Sequence, residues 1–197
     1  MVIIGINGNP GSGKTTVSEM LFKEENTKVI HLDAIFNTIK AHMPGKSVTS
    51  VTRDDGNEVM FLTRNDLYKK VMSNKKLNEY YIRLRRIIGS RILSNQITKA
   101  QEEGYKYLII EGISLFELGE NTTFDFLIKM FASYDVRAQR VKKRNLQIEI
   151  DASDPMKTEL ADFKENYLIV NDSSLEDLES KVQDIEDDIK EQIKNRK

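Results

Sequence analysis

The segment Gly8-Asn9-Pro10-Gly11-Ser12-Gly13-Lys14-Thr15 constrains this chain more than any other stretch. It satisfies the phosphate-loop pattern G-x-x-x-x-G-K-[ST], and a chance match is rare at ordinary residue frequencies. Its flanks fit as well. Val2–Ile6 is a short apolar run of strand type, and Thr16 to Lys23 reads as a helix with Val17, Met20 and Leu21 on one face. A strand, a glycine loop and a helix in that order make an anion site. The glycines let the backbone curl until its N–H groups face inward. The helix N-terminus adds about half a positive charge. Lys14 supplies a full charge at the β- and γ-phosphates, and the Thr15 hydroxyl is placed to ligate Mg²⁺. Gly8 to Thr15, with Thr16 behind them, are therefore expected to hold a nucleoside triphosphate.

Such a loop belongs in an α/β sheet, and the rest of the chain supplies one. Five apolar runs look like buried strands: Val2–Ile6, Val29–Leu32, Tyr107–Ile110, Phe126–Phe131 and Tyr167–Val170. Helical patterns separate them, which predicts a doubly wound, five-stranded parallel sheet. Ligands bind such sheets beyond the C-terminal ends of the strands, so the chemistry belongs just after each run. At 197 residues and 39% hydrophobic content the chain reads as one domain, 1–197, with one real core. The stretch 39–103 exceeds a simple crossover and is read as a mostly helical substrate-side insert. Within it Val48–Val51 and Val59–Leu62 flank Asp54-Asp55-Gly56-Asn57, which suggests a small hairpin. Leu67 to Gln101 then reads as helical, broken near Ser73-Asn74. Leu84, Ile87, Ile88, Arg91 and Ile92 share a face of it that is read mostly as core. Near the end, Leu175, Leu178, Val182, Ile185 and Ile189 form one stripe of a packing helix.

Thirty basic and 31 acidic residues leave a net charge of −1, which gives no reason to expect nucleic acid or an anionic membrane as partner. There is no cysteine, hence no disulfide, thiolate metal site or thiol nucleophile, and the composition suits a cytoplasmic protein. The apolar N-terminus is short, lacks a basic leader and runs straight into the loop, unlike a signal peptide. A monomer or weak homo-oligomer is expected.

Three groups could carry chemistry beside the loop. Asp33 follows a buried-type strand, and a kinase needs a carboxylate there to orient an acceptor hydroxyl and take its proton. The alternative is that Asp33 caps the next helix. Glu111 ends the third strand, where a carboxylate reaches Mg²⁺ directly or through water, or binds a substrate hydroxyl. Glu117 lies close by in sequence. Arg137, Arg140 and Arg144 are spaced by three and four, so a helix would carry them on one face. In a phosphate-loop protein that face reads as a lid over 137–157 that clamps phosphates, with Arg140 foremost. His31 and His42 are isolated, and His31 points either into the core or toward the substrate.

With these residues in view, the chain resembles the dephospho-coenzyme A kinase family over nearly its full length. Ile4 to Ser18 is similar to that family's phosphate loop and first helix. Asp33-Ala34-Ile35 resembles the second Asp of its Asp-Ala-Asp segment, which implies a catalytic Asp33. Asp55-Gly56, Arg64, Leu67, Asn74 and Leu77 follow the spacing of its coenzyme-A-side insert, where Arg85-Arg86 stands in place of a His-Pro pair. The resemblance thus implies substrate contacts from Arg64 and Arg85. Glu111 to Glu117 is similar to its Asp-x-Pro-Leu-Leu-Phe-Glu segment, Gln139-Arg140 and Lys143-Arg144 to its lid helix, and Ile169-Val170-Asn171 to its last strand. The first Asp of Asp-Ala-Asp is His31 here. The implied activity is Mg²⁺- and ATP-dependent phosphorylation of the ribose 3′-hydroxyl of dephospho-coenzyme A. Ile109 to Ile113 also looks like uridine kinases, which makes a nucleoside or nucleotide the alternative acceptor. A phosphate-loop GTPase would carry Asn-Lys-x-Asp after a strand, and Asn74-Lys75-Lys76-Leu77 fails at its last position. A kinase-like fold that binds nucleotide without catalysis is the remaining reading.

Overall fold

The computed structural model describes residues 1–41, 48–52, 58–62, 73–113, 115, 122–143 and 165–196. In chain order the elements are β1 (Val2–Gly8), α1 (Lys14–Met20), β2 (Thr27–His31), α2 (Leu32–Ala41), β3 (Val48–Thr52), β4 (Glu58–Leu62), α3 (Lys75–Glu102), β5 (Tyr107–Glu111), β6 (Phe126–Phe131), α4 (Tyr134–Lys143), β7 (Tyr167–Val170) and α5 (Leu175–Asn195). Five strands form one sheet in the order β2-β5-β1-β6-β7, every pairing parallel. β1 is central, so the loop that leaves its C-terminal end starts from the middle of the ligand edge.

Alternation along the strands explains why helices cover both faces. On one face Ile4, Ile6, Tyr107, Ile109, Phe126, Ile128 and Ile169 pack against Val17 and Leu21 and against Leu178, Val182, Ile185 and Ile189 of α5. On the other, Ile30, Leu108 and Ile110 pack against Ile35 and Phe36 of α2 and Leu93 and Ala100 of α3. Residues one step apart in β5 thus serve opposite cores, and the sheet is doubly wound as its sequence pattern predicted. Side chains cap two helices at their starts: Asn74 accepts from the Leu77 N–H at 3.1 Å and Ser174 from the Asp177 N–H at 3.3 Å.

The described strands β3 and β4 pair antiparallel, in register from Val48 with Leu62 to Thr52 with Glu58, which is the hairpin expected around Asp54 to Asn57. Other expectations shift. Helix α1 starts at Lys14 rather than Thr16, and Leu32 opens α2 instead of closing β2. The α5 stripe is buried except at Leu175, which is 54% exposed. The apolar face of α3 is a correction: Leu84 and Ile87 are 56% and 60% exposed, and Ile88 and Arg91 are exposed as well. The helix instead buries Gly89, Leu93 and Ala100. Helical spacing identifies side chains that share a face, and packing decides which face meets the sheet. Residues 67–72 of the expected long helix lie outside the described residues. Among the described residues no helix is long and apolar enough to cross a membrane.

Candidate active site

The phosphate loop runs from the end of β1 to the first residue of α1. Its turn requires two left-handed glycines, Gly11 at φ 80° and Gly13 at φ 98°. Gly13 also has no room for a side chain, because a Cβ there would run into the Asn171 amide nitrogen. The Ser12 N–H donates to the Asn9 carbonyl at 3.1 Å and closes the turn. Ser12 is fully buried, and among the described residues its hydroxyl has no hydrogen-bond partner. The loop opens into a cleft of about 420 Å³. Pro10, Gly11, Gly13, Lys14, Thr15 and Thr16 line one side of it, and Asp33, Arg140 and Asn171 stand around the rest. Of the expected nucleotide-loop residues, Gly8, Asn9 and Ser12 do not line the cleft. A separate groove of about 510 Å³ between α1 and α5 shares only Thr16 with it.

Lys14 is 7% exposed, and its ammonium donates to the Asn9 carbonyl at 3.3 Å. Burial pulls its pKa below the ordinary lysine value, while the negative charges of Glu111 and Asp33 oppose that fall. Those two carboxylates reach Lys14 from neighbouring strand ends. Asp33 lies exposed in the first turn of α2, so it meets the helix's positive end and the cleft at once. As the second residue of α2, Asp33 lies inside the helix and is not the cap residue that precedes it.

Glu111 ends β5 and is 3% exposed. Its Oε1 accepts the Thr15 hydroxyl at 3.4 Å and lies 2.8 Å from His31 Nδ1. The parallel register makes the His31 contact possible, since His31 of β2 and Glu111 of β5 are paired residues. Glu111 raises the His31 pKa, first by that hydrogen bond and then by its charge, against an opposing effect of burial. His31 thus points toward the ligand edge. Thr15 and Glu111 are the groups that fit Mg²⁺, a hard cation that keeps most of its ligands as water and phosphate. Among the described residues no cluster of three or more His, Cys, Asp or Glu side chains forms a protein-only metal cage.

The arginines divide. Arg140 lines the cleft, with Nη1 donating to the Gly11 carbonyl at 3.3 Å and Nη2 to Asn171 Oδ1 at 3.2 Å. Arg137 is 1% exposed and turns inward, its Nε donating to the Ala132 carbonyl at 3.1 Å. Its backbone backs the loop at Gly11. The two share a face of α4, as their spacing predicts, but only Arg140 reaches the cleft, while Arg137 is buried behind the loop. Arg85 stacks over the Phe36 ring at 4.3 Å, joining α3 to α2, and does not line this cleft. Arg64, Glu117, Arg144 and the lid beyond Lys143 lie outside the described residues.

Sequence reasoning missed Asn171 as part of the site. Asn171 follows β7 and is 5% exposed, and its Nδ2 donates to the Ser12 carbonyl at 2.9 Å. Asn7, near the end of β1, donates from Nδ2 to the Ile113 carbonyl at 3.0 Å and steadies the segment after Glu111. The strand-end rule, which selects the segment from Asn7 to Thr15 as well as Asp33 and Glu111, applies to Asn171 too.

Comparison with known proteins agrees with this geometry. The sequence profile of the dephospho-CoA kinase family matches residues 2–177. A dephospho-CoA kinase of Syntrophotalea carbinolica is 25% identical over 193 residues, covering 92% of this chain and 89% of that protein. That of Chlorobaculum tepidum is 26% identical and covers 93% of each. Among solved structures, the dephospho-CoA kinase of Campylobacter jejuni superposes with a TM-score of 0.59 at 16% identity, over 95% of this chain and 96% of that one. Shikimate kinase from Acinetobacter baumannii superposes with a TM-score of 0.53 at 12% identity, over 100% and 95%, so the fold is shared among small-molecule kinases. The profile match runs from β1 into α5, through every residue lining the cleft except Leu178, and by it this chain belongs to the dephospho-CoA kinase family, ATP-dependent kinases that phosphorylate dephospho-CoA.

Proposed function

We propose that this chain transfers the γ-phosphoryl group of ATP to the ribose 3′-hydroxyl of dephospho-CoA, with Lys14, Asp33 and Arg140 as its catalytic side chains. The observation that carries the assignment is the convergence of Lys14, Thr15, Asp33 and Arg140 on one cleft, though they come from three separate places in the chain. The loop amides and Lys14 hold the triphosphate. Asp33 orients the acceptor hydroxyl and receives its proton as the oxygen bonds to the γ-phosphorus and the bond to the β-phosphate oxygen breaks. Positioning matters more than base strength here, because the transition state is loose. Arg140 leaves the Gly11 carbonyl for the phosphoryl oxygens as their charge spreads. Thr15, and Glu111 directly or through water, would hold Mg²⁺, which would supply positive charge against the triphosphate. The acceptor side is assigned to the insert of residues 39–103, within a single kinase domain that works in the cytoplasm.

The test is a coupled ADP-release assay with dephospho-CoA, uridine, cytidine and nucleoside monophosphates side by side, with phosphorus NMR of the product. Turnover with dephospho-CoA and a new 3′-phosphomonoester is expected. Preference for uridine would make the chain a nucleoside kinase. ATP binding without turnover of any acceptor would leave a nucleotide-binding protein that has lost catalysis.

A further inference from the structure

We infer that Asn171 is a positioning residue that fixes the phosphate loop and Arg140 relative to one another, so that the arginine is delivered to the phosphates from a set place. The proposal rests on the reading of Arg140 given above. Asn171 comes from the last strand of the sheet, and its own N–H donates to the Phe131 carbonyl at 2.8 Å, which pins its backbone to the end of β6. Its side chain is buried between two parts of the site and uses both ends of the amide. The Nδ2 group donates to the Ser12 carbonyl at 2.9 Å. The Oδ1 accepts from Arg140 Nη2 at 3.2 Å. Arg140 completes a ring through its bond to the Gly11 carbonyl at 3.3 Å.

That ring has a directional consequence. A loop that presents amide N–H groups to phosphate must turn its carbonyls away. The Ser12 and Gly11 carbonyls are the ones occupied by Asn171 and Arg140. Asn171 therefore holds a loop carbonyl outward, which favours inward amides. When phosphate arrives, Arg140 exchanges the Gly11 carbonyl for a phosphoryl oxygen and keeps its bond to Asn171, so the guanidinium swings on a fixed point. The approach of Asn171 to Gly13 requires that position to lack a side chain.

Two roles imply two separable kinetic effects. Removing the Ser12 contact weakens the loop's grip on ATP and raises KM. Removing the Arg140 contact lowers kcat, through Arg140 alone. Steady-state kinetics with saturating dephospho-CoA should be measured for Asn171→Ala, Asn171→Asp, Arg140→Ala and the double variant Asn171→Ala/Arg140→Ala. Asn171→Ala should raise KM for ATP by about tenfold and lower kcat by about tenfold or more. In the double variant kcat should equal that of Arg140→Ala within about twofold, while the increase in KM persists. Asn171→Asp keeps the acceptor for Arg140 and loses the donor to Ser12, so it should lower kcat less than Asn171→Ala does. It also preserves side-chain size, so it reports on the proposal even where Asn171→Ala fails to fold. Multiplying kcat losses in the double variant, or Asn171→Asp no better in kcat than Asn171→Ala, would overturn the inference. If Arg140→Ala itself turned over normally, the reading of Arg140 would fail instead, and that single variant tells the two failures apart.

Discussion

At Asp33 an exposed carboxylate in the first turn of α2 shares a cleft with the buried ammonium of Lys14, and each senses the other's charge. Lys14→Ala removes the full charge at the phosphates and should nearly abolish turnover. Asp33→Asn keeps shape and cleft, so calorimetry should find ATP binding largely intact while kcat falls by about 10²–10⁴. Normal turnover in Asp33→Asn would remove that residue from the mechanism. His31 invites a pH experiment. Its hydrogen bond to Glu111 raises its pKa above the ordinary value near 6.5. A raised folded-state pKa means that the protonated form is stabilised by folding. The contribution is complete below about pH 6.5 and is lost as pH climbs through the folded-state pKa. Urea unfolding midpoints in EDTA should therefore drop across that window, and His31→Gln should flatten the drop. Identical profiles for the two proteins would deny the His31–Glu111 pair any part in stability.

Helix α5 does more than cover the sheet with its apolar stripe. Its Glu186 carboxylate accepts the backbone N–H of Phe22. Phe22 sits just past α1 at φ 55°, a left-handed conformation unusual for a residue with a side chain. The ring offsets that strain by stacking on Tyr107 at 3.9 Å, nearly coplanar at 8°. Lys190, one turn on from Glu186, lies 3.5 Å from its carboxylate and 5.5 Å from the Phe22 ring centre. The C-terminal helix thus locks the turn that ends α1, the helix whose start carries Lys14 and Thr15. Glu186→Ala leaves a buried N–H without its acceptor and should destabilise the fold by about 1–3 kcal/mol. Denaturant melts would register this as a lower midpoint at unchanged m-value. A variant as stable as the parent would show that the turn holds without α5.

Nucleotide binding should be visible in the stability of the whole molecule. The cleft gathers the loop after β1, α1, α2, α4, the segment after β7 and the start of α5, so a ligand seated there bridges much of the sheet's edge. At a hundred times its dissociation constant, Mg²⁺–ATP should add about 2.7 kcal/mol, which for a chain of this size raises Tm by about 5–10 °C. Lys14→Ala should lose most of that shift. A wild-type Tm indifferent to ATP would contradict the nucleotide site itself.

Much of this was legible in the sequence, for local reasons. The loop between β1 and α1 depends on glycines and a lysine within eight consecutive residues, so its pattern can be read without a fold. The strands announce themselves by short, mostly apolar runs, and the strand-end rule then places Asp33 and Glu111 at the ligand edge. Tertiary structure alone decided the rest. Which face of α3 is covered depends on how that helix lies on the sheet, so Leu84 and Ile87 are exposed although their spacing resembles a core stripe. Arg137 and Arg140 share a helix face, yet one is drawn inside and one reaches the cleft, which spacing alone does not tell. The ring of Gly11, Ser12, Arg140 and Asn171 joins residues up to 159 positions apart. No local pattern encodes such a contact, because it exists only once β6 and β7 have paired beside β1 and brought those distant side chains to one edge.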